Sequence, residues 1–294
     1  MKYLYYPGCS LRSSGKAYEE SLLAVFEKLG LQWQEIPDWN CCGATAYMGI
    51  DQLNAFALAA RNLALAEGAD PQRPVQVIAP CNACYLVLLK AQHSARENVE
   101  AIGAPITKAL RECGLAWKDT AVVRHPLDVL RNDVGLDKIK SACPAPLKGL
   151  KVACYYGCQI VRPYATFDDQ RDPMAMDEVL RAAGAETVDW PLKARCCGGS
   201  LTGTIEEAGL RLSYILLKEA KRRGAEVVAT ACPLCQFNLE CYQDKMQQFG
   251  DDYRLPVVYF SQLLGRAMGL AETRLAFQRL LVPMPACRPA PALA

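Results

Sequence analysis

Histidine is nearly missing from this chain. Two in 294 residues, His93 and His125, leave little imidazole for metal binding or general acid–base work. An excess of one charge is missing too: the net charge is +2, and no basic run carries interleaved aromatics, so nucleic acid has no electrostatic footprint to follow. No stretch approaches the roughly 18 consecutive apolar residues of a membrane span, and the nearest candidates, YLVLLKA and YILLKEAK, are broken by charge. The N-terminus, MKYLYYPGCS, has neither the apolar stretch nor the small-residue cleavage site of a secretory signal, so the expected location is the cytoplasm. There is no G-x-G-x-x-G strand–helix signature and no separate cubane ferredoxin motif, so any electrons have to come from partners.

What the chain has in excess is cysteine. Ten of its fifteen fall into two copies of one pattern, Cys9-x31-Cys41-Cys42-x38-Cys81-x2-Cys84 and Cys158-x37-Cys196-Cys197-x34-Cys232-x2-Cys235. In a reducing compartment such thiols are not a disulfide framework, and metal or redox chemistry is the default reading. The other five, Cys113, Cys143, Cys154, Cys241 and Cys287, read as inert small hydrophobes. Cys154 shares a strand with Cys158 and competes to be the first ligand of the second set. Matching YYPGCS to YYGCQ selects Cys158.

The repeat divides the chain near its middle, in the connector SACPAPLKG, giving expected domains at 1–140 and 141–294. The first half reads as strand KYLYYPG, helix SSGKAYEESLLAVFEKLG with Ser13 or Ser14 as its cap, and strand LQWQEI. After the CCG turn come helix DQLNAFALAARNLALAEGA, strand PVQVIAP and a helix from Tyr85. The second half repeats this order: strand LKVACYYG, helix MAMDEVLRAAGA, strand ETVDWP, turn CCGG, helix EEAGLRLSYILLKEAKRRG, strand AEVVATA and helix QFNLECYQDKMQQ. The alternation predicts two similar cysteine-rich α/β domains related by internal duplication, with the cysteines just past strand ends. SQLLGRAMGLAETRLAFQRLL reads as a helix, equally an amphipathic surface helix of moderate basicity or a packing helix, and the final RPAPALA as a frayed or partner-ordered tail.

A Cys-x-x-Cys at a helix start puts two sulfurs on one side of a turn, where backbone N–H groups offset part of their charge. Adjacent cysteines normally point to opposite faces, so only an irregular backbone aims both at one centre. Gly43 and Gly198-Gly199 supply that freedom. Five thiols per half exceed the four that zinc or a cubane cluster needs.

The segments YYPGCS, NCCG, PCNAC, ACYYGCQIVRP, RCCGG and ACPLCQFNL resemble the tandem cysteine-rich (CCG) domains of the heterodisulfide reductase B-subunit family, over nearly the whole chain. The resemblance implies two noncubane 4Fe-4S clusters. Cys9, Cys41, Cys42, Cys81 and Cys84 would hold one, and Cys158, Cys196, Cys197, Cys232 and Cys235 the other. It further implies a small disulfide reduced to two thiols, or the reverse, with one electron reaching each sulfur from either side. A ferredoxin-like C subunit and a flavin-bearing A subunit would be the partners.

Two alternatives stand beside this reading. One is an electron-transfer or anchor subunit of a succinate dehydrogenase, fumarate reductase, glycerol-3-phosphate or lactate-oxidising complex that passes electrons towards quinone. The other is one cluster plus one structural zinc. His93, His125, Arg162, Arg195, Tyr5, Tyr6, Tyr155 and Tyr156 are weaker candidates, better read as structural or solvated.

Overall fold

The structure is a computed structural model that describes residues 2–44, 46–70 and 74–284. Cys287 and the tail RPAPALA lie outside the described residues. Two four-stranded parallel sheets carry the chain. The first contains β1 (Lys2–Tyr5), β2 (Gln32–Glu35), β3 (Gln76–Ile78) and β4 (Val122–Arg124), in the order β2-β1-β3-β4. The second contains β5 (Lys151–Tyr155), β6 (Glu186–Thr187), β7 (Val227–Thr230) and β8 (Val257–Tyr259), in the order β6-β5-β7-β8. The shared order is what duplication predicts. Central strands such as β7, whose four residues are all buried, are apolar on both faces because helices cover a parallel sheet on both sides.

Several elements differ from expectation. Strand ETVDWP shrinks to the two residues of β6, while β4 and β8 are three-residue strands too short to stand out in the sequence. Helix α1 (Lys16–Leu29) is preceded by Gly15 and has no side-chain cap; Ser13 instead turns back, its hydroxyl donating to the Cys9 carbonyl. The expected helix at 261–281 is broken. A helix at Phe260–Ala267 gives way at Gly269, whose φ is +72°, and the short turns Glu272–Leu275 and Phe277–Arg279 follow. Leu263, Leu264, Ala267, Met268 and Leu275 from this stretch are all buried.

The compact units do not follow chain order. One comprises the chain up to Ser13 together with Leu31–Pro126, and the other comprises Ser14–Gly30 together with the described chain from Leu127 onward. α1 therefore belongs with the second sheet. Its Tyr18 ring stacks on Tyr259 with centroids 4.6 Å apart, Ser21 and Ser261 share a buried hydrogen bond of 2.7 Å, and Leu22, Val25 and Phe26 are fully buried. A fragment ending at residue 140 would carry this apolar face without the helix it packs on, and would leave it in water. We expect residues 1–140 alone to bind a hydrophobic dye strongly and to melt without a cooperative transition. Weak dye binding and a sharp melt would show that the face finds another partner.

Candidate metal centres

All the repeat cysteines lie past the carboxyl ends of strands, around the point in each sheet where the chain switches between the first strand and the third. β1 ends at Tyr5 and delivers Cys9 in the helical turn Gly8–Leu11. β3 ends at Ile78 and delivers Cys81, which precedes helix α2 (Asn82–Glu97), with Cys84 in its first turn. Cys41 and Cys42 come from irregular backbone beyond β2. β5, β7 and the segment beyond β6 deliver Cys158, Cys232 with Cys235, and Cys196-Cys197 in the same way.

The thiols of each half touch in a chain. Cys41 lies 3.8 Å from Cys9 and Cys42 lies 3.4 Å from Cys84; Cys42 also meets Cys41, and Cys84 meets Cys81. In the second half Cys197 lies 3.6 Å from Cys235, and the order Cys158, Cys196, Cys197, Cys235, Cys232 repeats the first. Burial repeats as well. Cys42, Cys81 and Cys84 are buried while Cys9 and Cys41 are exposed; Cys197, Cys232 and Cys235 are buried while Cys196 is exposed and Cys158 half-buried. Each group is thus closed on one side and open on the other.

Glycine makes the convergence possible. Gly8 has φ +68°, and a Cβ there would stand 2.8 Å from the Cys84 sulfur. Gly198, with φ +94°, leaves no room either: a Cβ would lie 2.8 Å from the Gly209 backbone.

Hydrogen bonds between thiols decide where charge settles. Hydrogen bonding with Cys42 and Cys9 holds the Cys41 thiol down to about 2, and hydrogen bonding with Cys158 and Cys197 does the same to Cys196. Their partners Cys9 and Cys158 are pushed up by the same bonds and by burial. The Arg162 guanidinium, which donates to the Ala194 carbonyl, adds to the stabilisation of the Cys196 thiolate.

Cys154 stands apart from both groups. It is fully buried on β5 beside Asp177, which also accepts a 2.6 Å hydrogen bond from the Tyr156 hydroxyl. Cys143 is buried, and Cys113 and Cys241 are exposed. Among the described residues, no three or more His, Cys, Asp or Glu side chains are arranged to hold a single metal ion. Five soft donors crowded into contact suit a larger iron–sulfur group better than one tetrahedral ion.

Two tyrosines contribute more than packing. The Tyr6 hydroxyl donates to the Asn40 carbonyl at 2.7 Å, and the Tyr155 hydroxyl donates to the Arg195 carbonyl at 2.7 Å. Each acceptor immediately precedes a Cys-Cys pair, and each donor stands three residues before the first cysteine of its set, a repeat visible in the sequence. Burial and the neighbouring thiols hold both phenols neutral.

A profile of the cysteine-rich domain, CCG, matches residues 3–89 and 152–240, spans that contain all ten of these cysteines. The chain belongs to the cysteine-rich (CCG) domain family. Relatives that match over almost their whole length include two kinds. The chain is 31% identical to the B subunit of a ferredoxin/F420H2-dependent CoB-CoM heterodisulfide reductase of Methanosarcina acetivorans, over 92% of this chain and 91% of that one. It is 30% identical to the 8-methylmenaquinol:fumarate reductase membrane anchor subunit of Wolinella succinogenes, over 96% and 97%. A crystal structure of a hypothetical protein from Helicobacter pylori shares the fold, with a TM-score of 0.75 at 15% identity. It covers 96% of this chain, which spans about half (52%) of that one.

In this CCG protein the two histidines stay outside the thiol groups. His93 lies on α2, half-buried. His125 is fully buried, its Nε2 is 3.2 Å from the Pro80 carbonyl, and its ring stands edge-on to Tyr85. Burial pushes it down to about 3 from 6.5, so it is neutral at pH 7. The sign follows: the stability linked to neutral His125 is complete above pH 6.5 and is lost as pH falls towards 3. By pH 4 the loss amounts to about 3 kcal/mol. Denaturant titrations of wild type and His125→Gln from pH 7 to pH 4 should show a slope that the variant lacks; parallel curves would contradict the assignment.

Proposed function

We propose that this chain is the catalytic iron–sulfur subunit of a heterodisulfide reductase-like complex, reducing a small disulfide to two thiols or running the reverse. In this reading Cys9, Cys41, Cys42, Cys81 and Cys84 hold one noncubane 4Fe-4S cluster, and Cys158, Cys196, Cys197, Cys232 and Cys235 hold the other. Such clusters supply single electrons and iron sites with affinity for sulfur. The observation that carries the reading is the open side of each thiol group. A site that only relays electrons gains from insulation, whereas one that binds a substrate sulfur needs an approach, and Cys9 with Cys41 and Cys158 with Cys196 leave one.

The chain's own residues divide the work. Cys42, Cys81 and Cys84, with Cys197, Cys232 and Cys235, grip from the buried side and exclude water there. Tyr6 and Tyr155 brace the loops that aim the paired cysteines. The electrons come from a ferredoxin-like C subunit and a flavin-bearing A subunit, and the working place is the cytoplasm.

The Wolinella relative favours a second reading, an electron-transfer or anchor subunit working towards quinone. Among the described residues no helix is long and apolar enough to cross a membrane. In the segment at 261–281 that would lie on one, Leu263, Leu264, Ala267, Met268 and Leu275 are buried, whereas Phe277 and Leu280 are half-buried and Leu281 is exposed.

Spectroscopy separates the two. On adding small thiols to the oxidised protein under anaerobic conditions, we expect a new paramagnetic signal as sulfur binds. Silence with every thiol, together with rapid oxidation of the reduced protein by a quinone, would favour the anchor reading.

A further inference from the structure

The two thiol groups match in ligands and topology but differ in the second layer around them. Asn238, only 2% exposed, lies three residues past Cys235 on the helix Pro233–Cys241. Its Nδ2 stands 3.6 Å from the Cys197 sulfur and 3.0 Å from the Gly199 carbonyl. The second contact fixes the amide's orientation: a carbonyl oxygen only accepts, so the nitrogen faces it and an N–H is aimed at the sulfur. The Gly199 backbone N–H donates to the same sulfur at 3.4 Å, a bond that Ala44 makes to Cys42 in the first half, so the amide of Asn238 is what differs. At the matching place in the first half, three residues past Cys84, stands Val87, equally buried and with no donor to offer.

A second difference has the same sign. Arg162, four residues past Cys158, places positive charge near Cys196. The corresponding position four residues past Cys9 is Ser13, whose hydroxyl donates to the Cys9 carbonyl. Arg12 beside it is paired with Glu35.

We infer that Asn238 makes the two centres unequal, setting the one formed by Cys158, Cys196, Cys197, Cys232 and Cys235 at the higher reduction potential. This rests on the reading that both groups hold iron–sulfur clusters. A hydrogen bond to a ligand sulfur stabilises the more negative, reduced state more than the oxidised one, and burial keeps water from levelling the difference. An arriving electron therefore settles in the second half first. Asn238 is a tuning residue: it touches a ligand and not the substrate.

The test is a potentiometric titration of the full chain with dithionite, followed by visible absorption and electron paramagnetic resonance. Iron and sulfide are assayed in the same sample. Wild type should show two separate midpoints. In Asn238→Leu the higher one should fall while the lower stays, by about tenfold in that centre's oxidised-to-reduced ratio at fixed potential, ~59 mV for a one-electron couple. A full iron complement with both midpoints unmoved, or with only the lower one displaced, would overturn the inference and leave the cluster reading intact. Wild type without iron or sulfide would instead overturn the cluster reading. If Asn238→Leu does not retain iron, Val87→Asn supplies the converse test: the lower midpoint should rise, and an unmoved one rejects the inference.

Discussion

Five thiols per half, drawn from three chain segments dozens of residues apart, must meet at one point, and the rest of the architecture follows from that demand. Parallel strands answer it because neighbouring strands end side by side at the same edge of the sheet. Tyr5 and Ile78 are register partners at the ends of β1 and β3, as are Tyr155 and Thr230 in the second sheet, so Cys9 with Cys81 and Cys158 with Cys232 start from adjacent places. The paired cysteines cannot arrive on regular backbone. Buried phenols hold their loops from behind, and Gly8 and Gly198 remove the side chains that would block the approach.

Much of this was legible in the sequence because it repeats. The order Cys, Cys-Cys-Gly, Cys-x-x-Cys survives duplication although the spacers differ in length, and so do the strand runs that carry it. What was not legible depends on packing that one chain segment makes with another. α1 looks like part of the first half, yet its Tyr18 and Ser21 find their partners at Tyr259 and Ser261, more than two hundred residues away. The stretch from Ser261 reads in sequence equally as a surface or a packing helix, and only the fold shows that the helix Phe260–Ala267 packs, with Gly269 ending it. Asn238 has an ordinary helical setting in sequence, and only the fold turns its amide towards Cys197.

The same geometry bears on the two kinds of relative. The B subunit of a heterodisulfide reductase and the membrane anchor of a fumarate reductase each resemble this chain over almost its full length. In this chain both thiol groups present their less buried pair to solvent while three sulfurs stay inside.

The central claim is that both halves hold matched clusters, and metal stoichiometry tests it most directly. Anaerobically purified full-length protein should contain about eight irons and eight acid-labile sulfides per chain, with no zinc, as two four-iron groups require. Half that iron together with one equivalent of zinc would make one centre redox-silent and contradict the account.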